Sequence, residues 1–414
     1  MRRRDFIHCS LCASGAWLLG CDSSSPLPDA GAAPDAGLRD AGSLDAGSTD
    51  AGVDAGSACA DPFAGGTLLG VLPFAGEDVT FGTRRGGGWD GRLYTDLSQV
   101  ESSDAVVDNE LFYLRTFYPD LLTPADPWTI DVSGLATPRE LTIDEIGALS
   151  EPQGAHVLEC SGNSRGRAFG LMSAATWAGA PMAAVLDRLD VDPSATRVLI
   201  EGFDMHSTPS VGGHSTPGAA WIFTFAELTE AGAFLATEMN GEPLPPDHGA
   251  PVRLYVPGWY GCSCIKWVNA IRLVDDDEPA TSQMLEFSTR THQLGTPSLA
   301  RDFIPAAMDQ AAMPVRVEKW RTASGELLHR VIGILWGGQT LTDRLQMVAS
   351  GLDPVDVDVC PAMMTNRTWT PWQSVWRPAF VGEHPIRMQI DDDAVPTRRL
   401  DTQYYQRRVL VDEV

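Results

Sequence analysis

Residues 239–274 read MNGEPLPPDHGAPVRLYVPGWYGCSCIKWVNAIRLV. Proline and glycine punctuate the first part as turn residues do, and two apolar runs follow, PVRLYVP and AIRLV, with the makeup of short strands. Taken singly, His248 in Asp-His-Gly is a turn residue, and Arg253 and Lys266 are charges at strand ends. Taken together, the two cations stand five and eighteen residues after the histidine, around the Cys262-Ser263-Cys264 run. That grouping is what the rest of the chain has to explain.

A second stretch, HVLECSGNSR at 156–165, ends an apolar run on a lone thiol. Cys160 follows Val157 and Leu158 and precedes Ser161-Gly162-Asn163, so it is expected at a strand's end where a loop opens, a usual place for a reactive group. Arg165 and Arg167 lie close enough in sequence to favour a thiolate. On this stretch alone a buried, inert cysteine is an equal alternative. A papain-like nucleophile needs a partnered imidazole, and His156 sits four residues upstream on the same strand face, too far to touch. A zinc site on Cys262 and Cys264 lacks a matching second pair at finger-like spacing.

The chain has 414 residues, 43% of them apolar, and 55 acidic against 30 basic side chains, for a net charge of −25. The length allows two ordinary domains with real cores. Nucleic acid is excluded as a partner, because phosphate binding needs a basic stripe, while a local arginine cluster can still hold a small anion. The N-terminus, MRRRDFIHCSLCASGAWLLGC, reads as an export signal over residues 1–20 and resembles a twin-arginine leader. Leu18-Leu19-Gly20-Cys21 resembles a lipobox, so the expectation is an exported protein, periplasmic or at the cell surface, lipid-anchored through Cys21. Asp-Ala-Gly repeats recur through residues 22–58 with almost no large apolar residue, so 21–62 is expected to be a disordered tether. No later stretch reaches about 18 uninterrupted apolar residues, so membrane contact is expected only through that anchor.

From residue 63 the composition is that of a folded protein. Strand candidates are WTIDVSG, HVLEC, RVLIEG, PVRLYVP and AIRLV; LTIDEIGALS and PMAAVLDRLD read as helices. Varied connections between them predict an α+β domain rather than a regularly alternating one. No GxGxxG follows a strand and no GxxxxGK[ST] occurs, which removes the anchors of nicotinamide and P-loop readings. Beyond about residue 280, RVIGILWGGQ, RLQMVAS, VDVDVC and HPIRMQIDDD alternate in short runs, as an all-β sandwich does. Trp369, Trp372 and Trp376 are expected to fill core.

The 239–274 stretch, ECSGNSR, TWAGAPMAAVLDRL, FYLRTFYP at 112–119, WTIDVSG at 128–134 and the C-terminal WGG, Trp-rich and RMQIDDD stretches together resemble the sulfite oxidase family of molybdenum enzymes. The resemblance runs in order over roughly residues 80–414. It implies an α+β molybdopterin-binding catalytic domain at 63–278, followed by an all-β immunoglobulin-like dimerisation domain at 279–414, and hence a homodimer. It also implies roles. Cys160 matches the ligand to molybdenum, and His248, Arg253 and Lys266 match the holders of the pterin phosphate. Asp204 falls where the family contacts the pterin ring. Arg115 and Arg165 match arginines facing a small oxyanion substrate, sulfite by family default, and Arg408 matches an arginine supplied from the second domain. The implied cofactor is molybdenum-molybdopterin. No CxxCH haem-attachment motif occurs, so electrons are expected to pass to an external acceptor such as a c-type cytochrome.

Three positions depart from the family pattern. Trp221 stands where a tyrosine near the metal is expected, Thr116-Phe117 where Asn-His follows the arginine, and Cys264 beside the phosphate where a serine is usual. The family cofactor therefore carries over more firmly than sulfite does. An exported reductase of sulfoxide-type substrates and a non-catalytic surface binding protein with a decayed cofactor site remain as alternatives. MHSTPSVGGHSTPG, with His206 and His214, reads equally as a lid or as an uninvolved surface loop. At least one disulfide is expected, tying Cys59 or Cys360 to the Cys262–Cys264 pair.

Overall fold

The computed structural model describes residues 61–102, 105–119, 122–204, 218–350, 352–359 and 365–414. The expected export signal, the Cys21 anchor, the tether up to residue 60, Cys59, Cys360 and the loop with His206 and His214 lie outside these residues.

Four sheets carry the chain. The first is antiparallel and places Arg253–Tyr255, Phe234–Met239, Met172–Pro181 and Glu151–Glu159 side by side. The second runs Arg139–Thr142, Thr129–Ser133, Val268–Val274, Arg197–Gly202, Ala220–Thr224, with Thr129–Ser133 and Val268–Val274 parallel and the rest antiparallel. The third and fourth form the C-terminal part. One joins Thr67–Leu72, Ala311–Arg321, Leu327–Trp336, Thr370–Trp376 and Asp358–Val359; the other joins Val355–Asp356, Leu345–Ala349, Gly382–Ile390 and Arg407–Val411. All their pairings are antiparallel.

The strand candidates from sequence all fall on observed strands, RVLIEG to the residue. The helical share is smaller than an α+β label suggests. LTIDEIGALS yields only Ile143–Gly147 and PMAAVLDRLD only Met182–Leu186, so the fold is mostly sheet. Thr142 and Thr224 start their helices with capping boxes closed by Glu145 and Glu227, but each helix ends within two turns, before a stable isolated length is reached. Trp369, Trp372 and Trp376 are fully buried, as core residues, and Trp369 donates through Nε1 to the Ala105 carbonyl at 3.1 Å.

Candidate active site

The strand Glu151–Glu159 delivers Cys160 one residue past its end. There the chain turns: the Asn163 N–H donates to the Cys160 carbonyl at 2.8 Å, and the Cys160 N–H to the Leu171 carbonyl at 3.0 Å. The Gly261 N–H donates to the Glu159 carbonyl at 2.7 Å, which draws the Cys262–Lys266 segment alongside. Cys160 is 5% exposed and borders an open pocket. Arg115, Asp204, His248, Arg253, Cys264 and Lys266 border the same pocket.

His248 ends a short turn, Pro246–His248, and Gly249 after it takes φ +116°. A Cβ at Gly249 would lie 2.9 Å from the Arg253 Cβ and 3.1 Å from that of Lys266, so the turn closes only because the position is glycine. The buried Arg253 donates through Nη1 to the His248 carbonyl at 3.0 Å and through Nη2 to the Cys264 carbonyl at 3.3 Å, and its Nε has no partner among the described residues. Lys266 Nζ donates to the carbonyls of Thr116 and Asp247, at 2.7 and 2.9 Å, over the Trp267 ring. The hydrogen bonds of both cations thus end on backbone carbonyls. The Asp247 carboxylate is turned to Arg84, at 2.7 Å. Burial, then Arg253, lowers the Lys266 pKa to about 7. Burial likewise holds His248 neutral, at about 3, while its Nε2–H donates to the Asn109 carbonyl at 2.9 Å. Asp204 Oδ1 accepts the Ala219 N–H at 3.3 Å.

Arg115 is pulled below its ordinary range by burial, opposed by Cys160 and Glu286. Its guanidinium belongs to a cluster: Arg92, lowered to about 10 by burial and by Arg115, donates through Nη1 to the Arg115 carbonyl, and Arg167 and Arg290 also act on Arg115.

Three expected site residues stand elsewhere. Arg165 is exposed on the turn Arg165–Arg167 and does not border the pocket; Arg167, two residues on, donates instead to the Gly162 carbonyl at 3.4 Å. Trp221 is buried inside the strand Ala220–Thr224, paired with Ile200 and away from the pocket wall. Aromatic rings reach the pocket from Trp89, Phe112 and Phe287. Arg408 lies on the strand Arg407–Val411 and pairs with Glu383 at 3.2 Å. The C-terminal arginine that reaches the cysteine loop is Arg399, which donates to the Ser161 carbonyl at 2.8 Å and to Glu159 Oε1 at 3.3 Å. Of the departing residues, Phe117 packs on Gly91 beneath Arg84, whereas Thr116 and Cys264 border the pocket.

Sequence reasoning missed Glu159, fully buried and held by Arg399, Tyr405, Trp336 and Asn163. A glutamate inside the apolar run VLEC was the available signal, since a buried carboxylate requires partners. Nothing marked Arg399 as its partner, 240 residues away. Among the described residues Cys262 and Cys264 are buried thiols, and Cys264 Sγ accepts the Val256 N–H at 3.4 Å; the partners expected for a disulfide, Cys59 and Cys360, lie outside those residues. Among the described residues no three His, Cys, Asp or Glu side chains converge as a metal site.

Comparison with known proteins places a family model, the oxidoreductase molybdopterin binding domain, on residues 118–282. Mitochondrial sulfite oxidase of Drosophila melanogaster is 31% identical over 192 residues, 43% of this chain and 33% of that protein. Human mitochondrial sulfite oxidase is 27% identical over 259 residues, 58% and 46% of the two chains. An NADH nitrate reductase of Nicotiana tabacum is 33% identical over 178 residues, 39% and 19%. The chain thus spans less than half the length of these relatives. In fold it is similar to the sulfane dehydrogenase SoxCD from Paracoccus pantotrophus, with TM-score 0.59 and 15% identity over 80% of this chain and 91% of that one.

Proposed function

This chain belongs to the sulfite oxidase family of molybdopterin oxidoreductases, and from that premise we propose that it oxidises a small sulfur oxyanion, sulfite or a close relative, and passes the electrons to a separate acceptor. One observation carries the proposal: Cys160 shares a pocket with two cations, buried Arg253 and half-buried Lys266, whose hydrogen bonds end on backbone carbonyls. Buried charge without a carboxylate partner is costly, and an anionic ligand removes the cost.

The donor set fits the family cofactor. Cys160 offers a soft thiolate for molybdenum. Arg253 and Lys266 suit the pterin phosphate as charge-assisted donors, and neutral His248 adds a polar wall without further charge. Asp204 can accept pterin N–H groups, and Cys264 lies beside the phosphate subsite. When bound, the cofactor supplies two-electron chemistry and exchange of an oxygen atom with water. Arg115, flanked by Arg92, Arg167 and Arg290, holds and orients the oxyanion; its burial strengthens that attraction. Phe287 and Trp89 narrow the space and keep water from the anion.

The proposal extends to the rest of the chain. Residues 1–20 direct export, Cys21 is lipidated at a membrane facing the periplasm or cell surface, and 21–62 is a tether. Residues 63–278, apart from the strand Thr67–Leu72 that joins a C-terminal sheet, are the catalytic domain and 279–414 an immunoglobulin-like domain through which two copies pair; the antiparallel pairing within both C-terminal sheets supports the sandwich. A basic c-type cytochrome suits the acidic chain as acceptor.

The test is elemental analysis of the full chain from a host that makes the cofactor. About one molybdenum per chain is expected, with sulfite-dependent reduction of ferricyanide and no oxidation of a reduced dye by methionine sulfoxide. Cys160→Ser should lose metal and turnover while keeping its thermal transition. Turnover retained in that variant, or wild-type protein without molybdenum, overturns the assignment.

A further inference from the structure

Glu286 puts a carboxyl group beside the arginine cluster at the thiol, in a pocket that Asp204 and Asp247 border as well. It sits on the helix Ser282–Phe287, where Gln283, Glu286 and Phe287 border the pocket together, as positions i, i+3 and i+4 of one helical face do. The carboxyl is half-buried; burial pushes its pKa up, and Arg115 and Arg290 hold it down. Arg290 Nη1 and Cys160 Sγ lie 3.3 and 3.9 Å from one point, the position of a Cβ on Gly162, so the cations facing Glu286 are those around the thiol. A fixed negative charge repels a bound anion in proportion to that anion's charge. A site selected for a dianion gains nothing from such a residue, whereas a site that must distinguish charge states does.

We propose that Glu286 is a specificity-determining residue that tunes this pocket to singly charged oxyanions and against doubly charged ones. The chemistry gives the preference a use. Oxidation of hydrogensulfite, the singly charged form that sulfite takes below neutral pH, follows HSO3⁻ + H2O → SO4²⁻ + 3H⁺ + 2e⁻, with the electrons leaving to the external acceptor, so in that form the substrate is a monoanion and the product a dianion. Glu286 therefore admits the substrate and promotes release of the product. The identity of the substrate rests on the function proposed above; the charge preference does not.

The test compares sulfate and perchlorate, tetrahedral oxyanions of similar size and charges 2− and 1−, by isothermal titration calorimetry at pH 8 in a chloride-free zwitterionic buffer. The full chain is used, with its molybdenum content measured alongside. Because the dianion feels twice the repulsion, its fold-change is the square of the monoanion's: Glu286→Gln should tighten perchlorate about 3-fold and sulfate about 10-fold. Glu286→Ala should give the same pattern, and Arg115→Gln should weaken both anions. In turnover, sulfate should become a stronger inhibitor of the Glu286→Gln enzyme. Equal fold-changes for the two anions, no change, or no loss in Arg115→Gln overturns the proposal. Protein without molybdenum would sink the cofactor reading while leaving the calorimetric comparison able to decide this one.

Discussion

At the scale of single residues, Gly249 and Lys266 show how the anion cradle is held. Alanine at 249 meets both a positive φ and the Arg253 Cβ at 2.9 Å, so Gly249→Ala should lower stability by about 1–3 kcal/mol in urea unfolding and reduce cofactor content. Lys266 gives a pH signature. Its folded pKa of about 7 lies below the ordinary 10.5. Between those values the unfolded chain holds the extra proton, so stability of the cofactor-free protein rises with pH from 7 to 10.5 and levels above it. Urea midpoints at about pH 7 and pH 9.5 should show the rise, and added pyrophosphate should flatten it by favouring charged lysine. Lys266→Met should remove the slope. Residues of this kind were partly legible: His248, Arg253, Lys266 and Cys160 stood out because their spacing matched a family pattern. Trp221 was misplaced because an aromatic in AAWIFTF is first of all a core residue of a buried strand, and alignment by similarity does not measure burial.

At the scale of elements, the strand Glu151–Glu159 and the helix Arg398–Asp401 are joined through Glu159 and Arg399. The arginine also caps the Ser161 carbonyl and lies 4.3 Å from the Tyr260 ring centre, so it fixes the loop that presents Cys160. Breaking one side of a buried pair strands the other charge: Arg399→Met should cost about 3–5 kcal/mol, and Glu159→Gln in the same chain should recover part of it. A double-mutant cycle in urea measures the coupling; additive losses would mean the two groups are independent. Strands were legible because short apolar runs bounded by turn residues leave a local mark. The Glu159–Arg399 join was not, because no local pattern records which distant element a buried charge meets.

At the scale of the whole molecule, several buried histidines are neutral bases. Burial lowers His156 and His329 to about 4 and His248 to about 3. Each folded value is below the ordinary 6.5, so as pH falls the unfolded chain takes up protons first. Their contribution is intact above pH 6.5 and is lost progressively down to pH 4 and below. His329 lies against Trp376 in the C-terminal sheets, with both ring nitrogens buried and unpartnered among the described residues. His329→Phe should flatten part of the acid limb of a thermal-melt series; an unchanged limb would refute its share.

The edge strand Thr67–Leu72 pairs with Ala311–Arg321, from Thr67 opposite Arg321 to Leu72 opposite Val317, with a register shift between Leu68 and Gly70. During synthesis this strand emerges long before its mate, and every residue of the cofactor pocket up to Phe287 is made in the interval. A ribosome stalled before residue 311 would hold a chain whose opening segment has nowhere to dock. Closing so long a span costs more chain entropy than a local hairpin does, so this strand joins its sheet only after the whole pocket has been made, and the strand Arg407–Val411 then completes the neighbouring sheet.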